Sequence, residues 1–161
     1  MADGLNFTIL EFFEQLGSEA GRLDVPWAKF EGETSSRKTF EIVGNPTIYD
    51  AATEANLNQA FLLGQFWGVS DSSSQVMING QALEGLTIPA ATGWNSWLTV
   101  FSAPVLQQGT NSLEIKASPT LPSNFIIGSI VLQWQEEDAE GGDQEPANDV
   151  SNLEEPAGRR R

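Results

Sequence analysis

From Lys38 to Trp134 the chain is cut by glycine, proline, asparagine and serine into about eight short extended runs, the punctuation expected of successive strands. After residue 60 no stretch is long enough to serve as a crossover helix. Parallel strands need such crossovers, whereas antiparallel strands close through tight turns. The spacing therefore predicts an all-β fold, an antiparallel β-sandwich of the jelly-roll kind.

The runs differ in how plainly they read. Lys38 to Val43, KTFEIV, alternates with Phe40 and Ile42 inward. Gln59 to Val69, QAFLLGQFWGV, is the strongest apolar run of the first half, and its aromatics and glycine breaks favour a central strand. Gln75 to Ile78 places Val76 and Ile78 on one face, and the Asn79-Gly80 pair that follows suits a two-residue hairpin turn, which needs positive φ at both positions. Trp97 to Phe101, Ser112 to Ala117 and Phe125 to Trp134 supply later strands, separated by the Gln107 to Asn111 turn and a loop holding Pro119 and Pro122. The N-terminal FTILEFFEQL stays open. Phe7, Leu10 and Phe13 fit a helical face, yet Phe7 to Leu10 fit a strand equally well. Ala51 to Asn58 reads as a short helical turn or a surface loop.

A chain of 161 residues with 40% hydrophobic content can build one sizeable core, and residues 1–135 are expected to form a single sandwich module. Beyond Gln135 the composition changes: Val150 and Leu153 are the large apolar residues of a stretch that holds nine acids between Glu136 and Glu155 and ends in Arg159, Arg160 and Arg161. So little burial cannot offset chain entropy, so residues 136–161 are expected to be a disordered acidic tail with a basic end.

Charge and composition narrow the chemistry. The formal net charge is −14, and residues 1–135 alone hold thirteen acids against five bases, which repels phosphate backbones and argues against a nucleic-acid partner. With no cysteine and no histidine there is no thiol chemistry, no catalytic imidazole and no zinc site built on those ligands. Nucleotide-binding glycine loops are also missing. The start, MADGLNFTILEFFEQLG, lacks a signal peptide's basic region and continuous apolar stretch, and no run approaches membrane-spanning length. The expectation is a soluble protein without a membrane partner, extracellular where an export signal has been removed.

Trp94 and Trp97, in GWNSW, lead the candidate site residues. An indole offers a large rigid apolar face with a polar edge, and such faces pack against the C–H face of a sugar ring while neighbouring amides satisfy its hydroxyls. GWNSW reads as an aromatic-bearing loop, and spacing of three in an irregular or extended segment can send the two rings to different environments, one free for ligand and one on the core. Asn124, at the entrance to the last strand, offers both donor and acceptor, although asparagine there is also an ordinary turn residue. Tyr49, the single tyrosine, is either a rim contact or a hydrogen-bonded core residue, and Trp27 either a core plug or a ligand contact. Glu31 and Glu33 lie on one side of an extended segment and are the carboxylates that suit a structural calcium, although the calcium-binding helix-loop-helix pattern is lacking. No paired acids are flanked by the aromatics of a substrate groove, so no catalytic residues are assigned.

Taken together, AFLLGQFWG at Ala60 to Gly68, MINGQAL at Met77 to Leu83, WNSWLTV at Trp94 to Val100, GTNSLEI at Gly109 to Ile115 and the late Asn124 resemble, in that order, the latter part of a family 6 or family 35 carbohydrate-binding module. That resemblance covers residues 59–132 and implies a galactose-binding-like jelly roll that binds a polysaccharide or oligosaccharide without catalysis. It implies that Trp94 or Trp97 stacks on sugar and that Asn124 hydrogen-bonds to it. Two departures stand out. The Glu-Ala-Glu-like N-terminal strand is replaced by Phe30-Glu31-Gly32-Glu33, and the Asn-Ile-Asp pattern by Asn124 followed by Phe125-Ile126-Ile127, with Gly128 near the expected acid. The alternative is a structural or assembly domain that uses the same sandwich for self-association or to dock a protein partner. Exposure of a tryptophan beside a groove favours the first reading, and a large apolar patch favours the second.

Overall fold

The computed structural model describes residues 3–17, 22–30, 34–46, 49–50, 55–56, 59–70, 72–102, 105–118 and 124–137. The expected tail, with Arg159 to Arg161, lies outside them apart from Glu136 and Glu137, as do Glu31 and Glu33.

Among the described residues eleven strands follow in chain order: β1 (Asp3–Leu16), β2 (Lys29–Phe30), β3 (Ser35–Ile42), β4 (Tyr49–Asp50), β5 (Ala55–Asn56), β6 (Gln59–Val69), β7 (Gln75–Ile78), β8 (Gln81–Thr87), β9 (Ala91–Ser102), β10 (Gly109–Lys116) and β11 (Phe125–Glu137). They form a five-stranded sheet in the order β2-β1-β11-β6-β9, a four-stranded sheet in the order β3-β10-β7-β8, and the small β4-β5 pair. Every pairing is antiparallel except the two-residue contact of β2 with β1. The protein is an all-β, antiparallel sandwich of the jelly-roll class.

Alternation sets which side chains enter the core between the sheets. On β6, Ala60, Leu62 and Phe66 are buried while Phe61, Leu63 and Gln65 face out. Leu132 and Ile130 of β11, Leu113 and Ile115 of β10, and Val76 and Ile78 of β7 meet them. The Asn79-Gly80 turn forms as expected, with φ of 51° and 78° and Ile78 paired directly to Gln81. The Asn79 amide then ties this hairpin to β10, donating to Asn111 Oδ1 at 2.8 Å and to the Val105 carbonyl, and accepting from the Ser112 N–H.

Two regions differ from a simple alternating reading. The open N-terminal segment is a strand throughout, but a bulge interrupts its pairing with β11 between Glu11 and Glu14. Phe13 takes a φ of 47° there; Phe12 lies inward and Phe13 outward in phase with the alternation that runs from Leu5, and beyond them Gln15 and Leu16 are both buried. The bulge shifts the alternation only beyond Phe13, and Phe7, Leu10 and Phe13 fall on alternating faces of the strand, not on one helical face. The tryptophan-bearing segment expected as a loop is the first half of β9, because β6 supplies an unbroken antiparallel partner from Gln59 to Trp67. β11 also runs two residues past the composition change at Gln135. Glu136 is held there by the Asn6 side-chain amide, the Gly44 N–H and Trp134 Nε1.

Candidate functional site

The end of the five-stranded sheet near Trp94 is shaped by backbone irregularities. Trp67 of β6 pairs with Trp94 of β9, but the next pair is Val69 with Ala91, so β9 carries an extra residue. Gly68 and Gly93 stand in this bulge with φ of 68° and 72°, a conformation that costs glycine little and other residues more. On the other side of β6 the register with β11 also shifts, between Ile127 and Ile130, leaving Gln65 opposite Gly128 and Ser129. Bulges of this kind re-aim side chains.

Trp94 lies across the gap so formed. A Cβ at Gly128 would stand 3.1 Å from the Trp94 ring and 3.3 Å from Gln65 Cβ. Trp27, carried by the turn after Pro26, packs on Trp94 with ring centroids 5.4 Å apart and planes at 33°, and meets Trp67 edge-on at 6.5 Å. Trp94 remains 49% exposed and Trp27 46% exposed. Beside Trp94 is a shallow depression of about 280 Å³ lined by Gln65, Asn95 and Ser96, all uncharged. The Asn95 amide nitrogen donates to the Thr92 and Gly93 carbonyls, which anchors it to the bulge and leaves Oδ1 as the amide's acceptor.

The two tryptophans of GWNSW therefore part. Trp94 faces out from the sheet, whereas Trp97, paired with Gly64, is half-buried with its ring 6.1 Å from Phe66. Asn124 directly precedes β11 at the same end of the sheet but is 6% exposed, so its side chain is turned into the protein. Tyr49 lies on β4, its backbone paired with Asn56, away from the five-stranded sheet's pairing, and its side chain lies outside the described residues. Among the described residues no group of three or more acidic side chains is gathered to hold a metal ion, and Glu31 and Glu33 fall outside that set. No helix among them is long and apolar enough to cross a membrane. Sequence reading left Trp27 open. Trp27 is 67 residues from Trp94, and only the folded sheet brings the pair together.

The fold and this site define a β-sandwich protein with an exposed aromatic platform at one end of its larger sheet. The chain belongs to the family of unknown function DUF7383, whose model matches residues 5–136. No protein of curated function matches it. Among solved structures, it is similar to the CBM36-1 domain of a multidomain xylanase from the hindgut metagenome of Trinervitermes trinervoides, at 12% identity and a TM-score of 0.48 over 79% of this chain and 96% of that one. A carbohydrate-binding module CBM36 in complex with calcium and xylotriose is similar at 8% identity and 0.45, over 76% and 97%. The GH26-CBM35 β-(1,4)-mannanase of Podospora anserina is similar at 18% identity and 0.44, over 80% of this chain and 27% of that one. The fold assignment rests on the strand registers above and not on these likenesses.

Proposed function

We propose that the protein is a noncatalytic glycan-binding module in which Trp94, backed by Trp27, is the stacking surface. The observation that carries this reading is the exposed Trp94–Trp27 pair beside an uncharged depression rimmed by amide and hydroxyl groups. An aromatic face supplies apolar contact to a sugar's C–H face, and Gln65, Asn95 and Ser96 supply donors and acceptors that orient its hydroxyls. The platform is held before ligand arrives: Trp94 packs over Gly128 and Asn95 is tethered to the bulge, so little side-chain freedom is lost on binding. In this reading Trp97 supports the sheet through Phe66, and Asn124 shapes the strand entrance from inside.

The experiment is calorimetry of the intact protein against soluble glycans that include xylo-oligosaccharides and β-1,4-mannans, with and without calcium. Saturable binding abolished in Trp94→Ala, weakened in Trp27→Ala and retained in a folded Trp97→Phe protein is the expected result. Binding that persists undiminished in Trp94→Ala overturns the assignment.

A further inference from the structure

The outer face of the five-stranded sheet is apolar where a monomer's sheet would be polar. Two registered rows cross four adjacent strands: Phe7, Gln133, Phe61 and Val100, then Ile9, Val131, Leu63 and Leu98. Four strands at sheet spacing make this face about 14 Å across. Phe7, Ile9, Phe61, Leu63, Leu98 and Val100 are between 38 and 65% exposed. Together they present on the order of 600 Å² of largely apolar surface, at the top of the ~300–600 Å² of a typical monomer's largest patch and approaching the ~800 Å² per partner of a standard interface.

We infer that this face is a homodimer interface in which a second copy packs sheet against sheet. Neither row contains an ionisable side chain, although the chain's formal net charge is −14. Meeting face to face therefore brings two uncharged surfaces together and keeps the acidic remainder of each copy outside the contact. Two copies that bury this patch against each other remove on the order of 1,200 Å² in total, the lower end of a standard interface, and an isologous contact needs no surface beyond the patch itself. The chain's own residues 138–161 are a poor occupant, since they offer only Val150 and Leu153 as large apolar side chains against seven acids. Two such sheets stack with strands crossing at roughly 30°, their side chains interdigitating as in a sandwich core.

Trp67, the strand partner of Trp94, lies four residues along β6 from Leu63, about 13 Å beyond the nearer row. Packing centred on the two rows leaves each aromatic platform uncovered, so the dimer carries two platforms and gains avidity on a polymeric ligand. The interface itself does not depend on the platform, and the two are tested separately.

Sedimentation equilibrium of the full chain, from micromolar to sub-millimolar concentration and at low and high salt, tests the inference. A monomer–dimer equilibrium is expected, tightened by salt because screening reduces repulsion between the acidic copies. Leu98→Lys and Phe7→Lys replace exposed residues, so circular dichroism should stay native. Each places two charges in the isologous contact and should weaken dimerisation at least about 100-fold. Trp94→Ala should leave dimerisation intact. A monomeric wild-type protein throughout the range, a dimer unaffected by both lysine variants, or a dimer lost on removing residues 138–161 overturns the inference.

Discussion

The Trp94 indole lies directly over the backbone of Gly128, two strands away across the sheet, where a Cβ would come within 3.1 Å of the ring. Gly128 thus has a physical reason to be glycine: a side chain there occupies the space of the Trp94 ring. Gly128→Asp should tilt or expel the indole and add a charge beneath the platform. Glycan affinity is expected to fall at least about 10-fold, a loss of roughly 1.4 kcal/mol. The melting temperature should fall as well, because Gly128 is buried beneath the indole and an unpaired carboxylate there is poorly hydrated. Calorimetry paired with tryptophan fluorescence measures both effects, and wild-type affinity in this variant would remove Gly128 from the site.

Neighbouring phenylalanines provide a test of the β1 bulge. Phe12 is buried and packs beneath the Lys38 ammonium, 5.2 Å from its ring centroid, whereas Phe13 is exposed in a left-handed conformation. Phe12→Ala should cost about 3–5 kcal/mol, as large-to-small core changes do. Phe13→Gly relieves strain of about 1–3 kcal/mol while giving up glycine's entropy and a partly exposed contact, so it should fall within about 1 kcal/mol of wild type. Denaturant unfolding of both variants decides the matter. Equal losses would mean that the two phenylalanines do not lie on opposite faces of β1 and that Phe13 is not in a strained conformation.

That bulge also marks where the sequence is readable and where it is not. The Asn79-Gly80 turn and the β3 alternation are local: one follows from φ preferences of adjacent residues, the other from a two-residue period on a strand with one wet face. Trp94 and Trp97 separate for the same reason, since spacing of three along a strand reverses the face. β1 hides its strand because Phe7 and Ile9 are apolar on the outer face while Leu10 and Phe12 are apolar on the inner, leaving no polar phase to contrast. The pairing of Trp27 with Trp94 is tertiary. Nothing in DVPWAKF specifies which strand end its turn will cover.

Acid should weaken the smaller sheet through Glu114. Its carboxylate accepts a 2.6 Å hydrogen bond from Arg37, the residue directly opposite on β3, and has Lys116 at 3.5 Å. The Arg37 hydrogen bond, with the two nearby cations, holds the Glu114 carboxyl below its ordinary value against the opposing effect of burial. A carboxyl lowered on folding adds stability that is complete above about pH 4.5, its ordinary value, and is lost as pH falls through the folded value. Arg37 is largely exposed, so screening limits the contribution to on the order of 1 kcal/mol. Stability measured by urea unfolding should therefore fall less steeply between pH 5 and pH 3 in Glu114→Gln than in wild type, by about that amount. Parallel curves for the two proteins would assign the acid response to other carboxyls.

Asn111 should prove the costliest single polar residue to remove. It is buried, and its amide nitrogen donates to the Gln107 carbonyl at 2.7 Å and the Gly109 carbonyl at 2.9 Å. Its oxygen accepts from the Gln107 N–H and from Asn79 Nδ2, so one side chain closes the turn before β10 and joins it to the β7–β8 hairpin. Alanine here strands buried partners in two turns at once, each worth about 1–3 kcal/mol when left without water or protein. Asn111→Ala is expected to lose about 3 kcal/mol or more. Asn111→Asp keeps the acceptor but loses both donations and buries a charge, so it should be no better at neutral pH and should recover partly when acid protonates the carboxyl. The control is Thr110→Ala, on the exposed side of the same turn, which loses only an exposed hydroxyl donation to Glu41 and for which a change within about 1 kcal/mol is expected. Similar unfolding midpoints for Asn111→Ala and Thr110→Ala would show that the turn is held by its backbone and Gly109 alone.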